Sequence, residues 1–389
     1  APLGYSITGP VHYVAAVVHR LAELPAQTDG VPAEPAGEGR AIITDVEDEP
    51  VNTAPKRRHR QYHKRRDRIR NQSSRPRTPH RAYAGSPQHQ RLPREAGSEL
   101  GGRARGAAVQ RWGEGGTRGH KVTVGGEGAL PFLHYEGAIP HRPVIAVEVL
   151  DRHPDDWSPL LREAWGDVLS DPAAWAAKGV SLGAGLVVLR LEGCHPDKGG
   201  HSPAAAADTV KAVLKATGLP LVVRGPGQAE ADNELLVAVA EAAPGERLAL
   251  GLCEDKNYRT IVAGALAHGH LVVASSPIDV NLAKQLNILI SDMRLPLDRV
   301  LMDPTTGALG YGLEYTYSVM ERLRLAALTG DGMTQQPMIC FIGEESWRQK
   351  EARAAQGVPA QWGGVEKRGT TWETITATAL LESGADIVV

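Results

Sequence analysis

From Lys121 onward, short apolar runs alternate with amphipathic stretches, a pattern typical of repeated strand–helix units around a parallel sheet. The runs are nearly continuously apolar, as expected for strands that are covered on both faces. Eight of them qualify as strands: RPVIAVEVLD, GLVVLRLEG, LPLVVRGP, RLALGLCE, HLVVASSP, RVLMDPT, PMICFIGE and GADIVV. Eight strands in strict alternation with helices predict an α/β fold, a (β/α)8 TIM barrel, rather than an open sheet.

Capping signals locate three of the helices between these strands. Ser202, followed by a proline, predicts a helix start, and that helix would end at Gly218. Asp279 can cap a second helix, and Thr370 with Glu373 forms a Thr-x-x-Glu capping box for a third. The second helix would bury one face made of Leu282, Leu286, Leu289 and Met293.

A β-hairpin is predicted ahead of the first barrel strand, in KVTVGGEGALPFLHYEGAIPHRP. Residues 121–124 would form one strand, Gly125 and Gly126 the turn, and LPFLHY the second strand. Such a hairpin would plug the bottom of the barrel. At the other end the chain stops at Val389, in or just after the eighth strand, so we expect the last barrel helix to be missing.

Residues 1–118 have a different composition from the barrel domain at 119–389. They are rich in Arg, Pro, His and Gln and contain almost no Leu, Ile or Val over long stretches. Such a segment cannot bury enough apolar surface to offset its ordering entropy, so we expect disorder or an aberrant sequence from an altered reading frame. A nucleic-acid arm at residues 56–70 is the weaker alternative, since the basic run lacks interleaved aromatic side chains.

Net charge and cysteine spacing argue against several classes of partner and cofactor. The formal net charge of −2 favours neither nucleic acid nor an anionic membrane as a partner. No apolar run is long enough to span a bilayer and no secretion signal begins the chain, so we expect a cytoplasmic protein. Cys194, Cys253 and Cys340 lie far apart, which argues against an iron–sulfur cluster or a structural zinc held by this chain.

Chemistry in such barrels collects where strands end and loops begin. The strand ends carry mainly acids, amides and hydroxyls, with Arg224 as the one cation at the clearest positions. No strand supplies the lysine of a Schiff-base aldolase, and the histidines lack the paired spacing of a metal-dependent hydrolase. We therefore predict no catalytic residue and no metal ligand.

The segment DPTTGALGYG is the most suggestive feature, because a carboxylate ends a strand and a flexible loop follows it. Its glycines permit close approach of the backbone to a large flat ligand. The helix after it would pack Leu313, Tyr317, Met320 and Ala327 against the barrel. The predicted ligand-binding residues are Asp303, Thr305, Thr306, Gly307, Gly310, Tyr311, Gly312, Arg224, Glu254, Asn257 and Glu344.

Four blocks closely resemble the small subunit of the corrinoid/iron–sulfur protein, a family that includes the delta subunit of acetyl-CoA decarbonylase/synthase. They are GGTRGHKVTVGGEGALPFLHYEG, IPHRPVIAVEVLD, DPTTGALGYGLEYTYSVMERLRLAALTGD and TATALLESGADIVV. The resemblance runs from about Gly115 to Val389.

This resemblance implies a barrel subunit that pairs with a large subunit carrying the iron–sulfur cluster and most contacts to a corrinoid (cobalamin). The corrinoid would lie at the interface between the two subunits. The heterodimer would take a methyl group from methyl-tetrahydrofolate, or its pterin analogue, through a separate methyltransferase. It would pass that group to CO dehydrogenase/acetyl-CoA synthase in the reductive acetyl-CoA (Wood–Ljungdahl) pathway.

Two other hypotheses remain open. One is a stand-alone pterin-dependent barrel methyltransferase, with Glu254, Asn257 and Asp303 as the pterin-binding candidates. The other is an inactive remnant, given the unusual first segment.

Overall fold

The eight predicted strands all form in the computed structural model, which describes residues 110–112 and 116–389. Two short strands precede them. In chain order the strands are β1 (Gln110–Trp112), β2 (Val122–Val124), β3 (Val144–Leu150), β4 (Leu186–Arg190), β5 (Leu221–Arg224), β6 (Ala249–Cys253), β7 (Leu271–Ser275), β8 (Val300–Asp303), β9 (Ile339–Cys340) and β10 (Ile387–Val388).

Strands β3 to β10 form one parallel sheet in the order β8-β7-β6-β5-β4-β3-β10-β9. The two ends of this sheet meet, since Met302 of β8 bridges in parallel to Met338, just ahead of β9. The Met302 amide also donates a hydrogen bond to the Pro337 carbonyl at 2.8 Å. The sheet is therefore a nearly closed barrel, which confirms the predicted fold class.

Ten α-helices connect these strands in the part of the chain that the structure describes. They are α1 (Pro159–Trp165), α2 (Pro172–Ser181), α3 (Pro203–Ala216), α4 (Ala229–Ala242), α5 (Tyr258–His268), α6 (Val280–Asp292), α7 (Leu313–Leu328), α8 (Ile342–Arg348), α9 (Lys350–Arg353) and α10 (Val365–Glu382). None of the helices described is long and apolar enough to cross a membrane.

Two of the three predicted caps are confirmed. The Ser202 hydroxyl accepts a hydrogen bond from the Ala205 amide at the start of α3. The Asp279 carboxylate accepts from the Asn281 and Leu282 amides at 2.7 and 3.0 Å at the start of α6. Both side chains thus satisfy amides that have no partner within the helix.

The third cap is wrong, because α10 begins at Val365 after an extended Gly364. Thr370 therefore lies inside the helix, and its hydroxyl donates to the Lys367 carbonyl at 2.8 Å. Glu373 accepts a hydrogen bond from Trp347 Nε1 at 2.7 Å instead of capping an amide.

Two predicted core positions are also wrong. Leu282 is 43% exposed and Tyr317 is 38% exposed. In α6 the buried face passes through Ala283, Leu286, Asn287 and Ile290, so Leu282 falls outside it. In α7 the buried face is wider than predicted and includes the polar residues Thr316 and Arg324.

The antiparallel ribbon ahead of the barrel is present, but its second strand differs from the prediction. β2 pairs with β1, with Trp112 opposite Val122. The stretch LPFLHY instead contains a 3-10 turn at Pro131–Leu133, where the proline has no amide to donate to a ladder. Val122 and Val124 pack among the side chains of the barrel interior, so β2 fills the bottom of the barrel.

The disorder predicted for residues 1–118 falls, apart from residues 110–112 and 116–118, outside the described residues. It stays a prediction, as does the boundary at residue 118.

Three buried ionisable side chains, which we call the Arg324 triad, meet where the segment after β2 packs against the barrel. Arg324 of α7 is fully buried, and its Nη2 lies 2.8 Å from Asp386 Oδ2 while its Nη1 lies 3.4 Å from Glu127 Oε2. Burial and the charge of Asp386 outweigh Arg324 and raise the pKa of Glu127 to about 8. Glu127 is therefore mostly protonated at neutral pH, and Arg324 neutralises the Asp386 carboxylate.

We expect the substitution Arg324→Met to lower the free energy of unfolding by about 3–5 kcal/mol, because it leaves the Asp386 carboxylate buried without a counter-charge. Urea unfolding at pH 7 measures this difference. Arg322→Met, at an exposed position of the same helix, is the matched control. Equal losses in the two variants would show that the triad contributes no more than a surface arginine.

Candidate functional site

The mouth of the barrel, at the carboxyl ends of the strands, is lined by polar side chains that the alternation of each strand turns inward. Val188, Val222 and Leu301 belong to the apolar cluster inside the barrel. Two residues further on, and therefore on the same face, stand Arg190, Arg224 and Asp303. Glu148 and Ser275 follow Ala146 and Val273 in the same way.

Two arginines and three glutamates at this level form a connected set, which we call the mouth network: Glu148, Arg190, Glu192, Arg224 and Glu344. Arg224 Nη1 lies 3.0 Å from both Glu148 Oε1 and Glu344 Oε2. Arg190 Nη1 lies 2.8 Å from Glu344 Oε1, and its Nη2 lies 3.4 Å from Glu192 Oε1. The Arg224 guanidinium also lies over the ring of Phe341, at 3.8 Å from the centroid.

The carboxyl groups of the mouth network differ in acidity. Burial, reinforced by the charge of Glu344, raises the pKa of Glu148 despite the nearby arginines. Burial opposes ionisation of Glu344 too, but Arg224 and Arg190 outweigh it and hold the pKa of Glu344 below its ordinary value. The network therefore stabilises the ionised form of Glu344 and disfavours the ionised form of Glu148, each relative to a carboxyl group in water.

Glu192 connects the mouth network to the loops outside it. Its Oε2 lies 2.6 Å from Arg152 Nη2, and its Oε1 contacts Lys198 Nζ. These cations, together with Arg190, lower the pKa of Glu192 against the opposing effect of burial. Each charged group of the network thus has an opposite charge within the chain.

Asp303 lies beside this network at the end of β8. Its Oδ2 accepts a hydrogen bond from Ser275 Oγ at 2.9 Å, and its Oδ1 accepts from the Thr305 amide at 2.9 Å. Burial raises the pKa of Asp303 to about 6, although the Ser275 hydrogen bond and the charge of Arg224 oppose this. Glu344 raises it further. Arg224, Asp303 and Glu344, all predicted from the sequence, are therefore within electrostatic reach of one another.

The two threonines after Asp303 are used to fix the 303–312 loop. Thr305 has a φ of 65°, a left-handed conformation that is strained for a β-branched residue. Its hydroxyl donates to the Ser276 carbonyl at 2.5 Å and holds it there. The Thr306 hydroxyl accepts a hydrogen bond from the Phe341 amide at 2.8 Å, which ties the loop to β9.

The glycines of this loop allow it to fold back on itself. A Cβ on Gly307 would lie 2.5 Å from the Gly312 carbonyl oxygen, and the Gly307 amide donates to Thr316 Oγ1 at 2.8 Å. Gly312 has a φ of 98°, which a side chain would strain. Only the side chain of Tyr311 projects from the turn, 47% exposed, and its hydroxyl donates to Glu351.

Glu254 and Asn257, which follow β6, differ in whether their side chains are free to contact a ligand. The Asn257 amide group is buried, accepts from the Glu254 amide at 2.7 Å and donates to the Leu252 carbonyl at 3.1 Å. Glu254 is partly exposed and pairs with Lys256 at 2.6 Å. Asn257 therefore shapes its loop, and Glu254 is the accessible member of the pair.

A groove of about 460 Å³ opens beside the mouth network and runs over the outside of β3 and β10. Its apolar walls include Val147, Leu161 and Val388, and its polar lining includes Arg190 and Glu344. Glu344 is the one sequence-predicted site residue that reaches it.

Sequence reasoning missed two residues of this region. Arg190 could have been found, because it ends an apolar run at the inward-facing parity of its strand. Glu373 lines the groove and has its pKa raised to about 7 by burial. Its Thr-x-x-Glu context gave no sign of this, since that pattern is also found at helix starts.

The described residues include no group of three or more His, Cys, Asp or Glu side chains arranged to hold a metal ion. Burial raises the pKa of Cys194 to about 12 and raises the pKa values of Cys253 and Cys340 as well. Burial therefore favours the protonated form of these three thiols.

Comparisons with a family model and with curated proteins identify the same family. Residues 113–376 match the model of a family described as CO dehydrogenase/acetyl-CoA synthase delta subunit. The chain is 38% identical over 280 residues to the acetyl-CoA decarbonylase/synthase complex subunit delta of Archaeoglobus fulgidus, covering 70% of this chain and 62% of that protein. It is 38% identical over 279 residues to the subunit delta of Methanopyrus kandleri, covering 71% and 68%. The chain thus spans about two thirds of the length of these relatives or slightly less.

Solved structures show more distant similarity. A dihydropteroate synthase from Xanthomonas albilineans is 16% identical with a TM-score of 0.41, covering 64% of this chain and 86% of that one. A tryptophan synthase alpha subunit from Pyrococcus furiosus is 13% identical with a TM-score of 0.37, covering 63% and 86%.

We expect Asp303 to make the fold less stable as the pH rises from about 4 to about 6, because the unfolded state ionises this group near 3.8 and the folded state only near 6. In Asp303→Asn this contribution is absent. The stability difference between the native protein and the variant should therefore change by on the order of 3 kcal/mol across that window. Urea unfolding at several pH values measures it. Asp208→Asn, at a carboxylate whose side chain is 80% exposed, is the control and should show a flat difference.

Proposed function

Because the chain belongs to the CO dehydrogenase/acetyl-CoA synthase delta subunit family, we propose that it is the barrel subunit of a corrinoid methyl carrier. It pairs with a larger subunit that holds the corrinoid and an iron–sulfur cluster. The pair accepts a methyl group from methyl-tetrahydrofolate or a methyl-tetrahydropterin through a separate methyltransferase. It delivers that group to acetyl-CoA synthase, in the cytoplasm.

The mouth network is the observation that supports a non-catalytic role for this chain. Arg224 is paired with Glu148 and Glu344, and Arg190 with Glu344 and Glu192, so both positive charges are compensated within the chain. Arg224 Nε is the one buried nitrogen of these two side chains without a hydrogen-bond partner among the described residues. A catalytic barrel needs groups in its mouth that are free to bind and to move protons. Here those groups stabilise one another.

A corrinoid fits the exposed part of the mouth better than its interior. The carboxamide side chains of a corrin ring require both hydrogen-bond donors and acceptors. The exposed Tyr311 and the partly exposed Glu254 offer such groups, and a corrinoid would replace their partners Glu351 and Lys256. The Thr305 and Thr306 hydroxyls are instead bonded to backbone groups within the chain. A bound corrinoid supplies the methyl-carrying chemistry, and this chain contacts its edge through Tyr311 and Glu254.

The remaining predicted site residues act from beneath this surface. Arg224 and Glu344 hold β5 and α8 together across the mouth, and Asp303 holds the start of the 303–312 loop. In our proposal they position Tyr311 and do not touch the corrinoid.

Co-expression of the full chain with the large subunit of a related complex tests the proposal. We expect the two chains to co-purify as a heterodimer whose corrinoid is methylated in the presence of the methyltransferase and its methyl donor. Recovery of two separate chains would overturn the proposal. The dissociation constant comes from sedimentation, and the methylation rate from the visible spectrum of the corrinoid.

In that assay we expect Tyr311→Ala to weaken the heterodimer or slow methylation by about tenfold, as for an aromatic residue within an interface. Tyr135→Ala is the matched control, since Tyr135 is 72% exposed and precedes the amino end of β3, at the opposite end of the barrel. If both variants behave alike, Tyr311 has no specific part in the interface.

Calorimetric titration of the isolated chain with methyl-tetrahydrofolate separates this function from a stand-alone methyltransferase. We expect no binding in the micromolar range, because the Asn257 amide is already bonded to its own loop. Micromolar binding that is lost in Asp303→Asn would favour the methyltransferase.

A further inference from the structure

Exposed apolar side chains are concentrated on one side of the barrel. Every large apolar side chain that is exposed among the described residues lies within residues 132–135 or 282–375. Helices α1 to α5 contribute none of them. Exposed aromatic and aliphatic side chains gathered in one sector are typical of a surface that contacts another protein.

The outward face of α10 belongs to this sector and has unusual chemistry. Thr371, Thr374, Ile375 and Thr378 lie along it, and none of them carries a charge. Each threonine hydroxyl donates to a carbonyl one turn earlier in the helix: Thr371 to Lys367 at 2.9 Å, Thr374 to Thr370 at 2.7 Å and Thr378 to Thr374 at 2.8 Å.

These internal hydrogen bonds change how costly the face is to bury. A hydroxyl that loses water without gaining a partner destabilises a complex, but here each hydroxyl donor keeps its partner in the helix. The threonine methyl groups and the 44% exposed Ile375 are what a partner would meet. The face is therefore suited to burial although its sequence is largely polar.

Opposite charges stand at the two ends of this face. Lys367 and Glu382 are fifteen residues apart, which puts them within about 60° of each other around the helix and roughly 22 Å apart along it. Neither has an ion-pair partner within residues 116–389. The midpoint between them falls between Thr374 and Ile375.

We propose that the outward face of α10 is a self-complementary interface through which two copies of this chain associate, with their α10 helices antiparallel. A two-fold axis between Thr374 and Ile375 brings Lys367 of each copy opposite Glu382 of the other copy. The same axis puts the two Ile375 side chains next to each other at the centre. A two-fold contact of this kind requires one patch that matches itself, and this pattern of charges does.

A second copy fits better than an unrelated partner, because both charges are then satisfied by residues already on the same face. Tyr317 and Leu325, on the neighbouring α7, are also exposed and extend the apolar surface beside this axis. The interface does not include Trp372 and Thr376, the residues of α10 that hydrogen-bond the 303–312 loop from the buried face of the helix. It leaves Tyr311 and the proposed contact with the large subunit free.

Sedimentation equilibrium of the full chain over a range of concentrations tests the proposal. We expect a monomer–dimer equilibrium whose dimer is weakened at least about tenfold by Ile375→Glu, since that variant buries two like charges at the axis. Thr209→Glu, at a threonine of α3 with the same internal hydrogen bond to Ala205 at 3.0 Å, is the matched control and should leave the equilibrium unchanged. A chain that stays monomeric at all concentrations overturns the proposal.

Charge reversal tests the antiparallel arrangement itself. Lys367→Glu and Glu382→Lys should each weaken the dimer, because each places like charges opposite one another. The double variant should restore it, since both ion pairs then form again with their signs exchanged. A dimer that persists in both single variants, or a double variant that does not recover, rules out this axis. Thermal melting followed by circular dichroism confirms that each variant is folded.

Discussion

The structure of the barrel mouth depends on balancing buried positive and negative charges that lie at one level of the barrel. Alternation along the strands turns Glu148, Arg190 and Arg224 into the interior, where none of them can remain charged alone. Glu192, in the turn after β4, and Glu344, in α8 after β9, complete the balance. These two segments are consequently positioned by the charges of the strands, and the interior is closed to a substrate that would need those charges. A carrier subunit that presents only its outer edge to a partner is consistent with such a closed interior.

Much of the fold could be predicted, because its signals are local. Each strand is a short apolar run that must be buried on both faces, and eight such runs leave few alternatives to a closed barrel. Ser202 and Asp279 act within three residues of themselves, so their roles follow from sequence alone. Asp303 was also identifiable, as a carboxylate that directly ends an apolar strand.

The remaining features depend on partners far away in sequence. Nothing near Thr370 indicates that α10 begins five residues earlier, since its start depends on the extended backbone of Gly364. Pairing of β1 with β2 involves residues on the far side of a glycine-rich stretch. Gly307 and Gly312 were predicted to let a flat ligand approach the backbone, whereas what approaches Gly307 in the structure is the loop's own carbonyl group. A glycine in the sequence indicates that another group comes close to the backbone there, but it does not indicate which group that is.

The triad of Glu127, Arg324 and Asp386 has a consequence for how the chain is made. Its members come from before the first barrel strand, from the helix after the sixth and from the entrance to the eighth. During synthesis the arginine emerges long before Asp386, so the partly made barrel carries a cation without its counter-ion. The ion pair of Arg324 with Asp386 can therefore form only after the eighth barrel strand has been synthesised, and until then the buried position of Arg324 lacks its compensating charge.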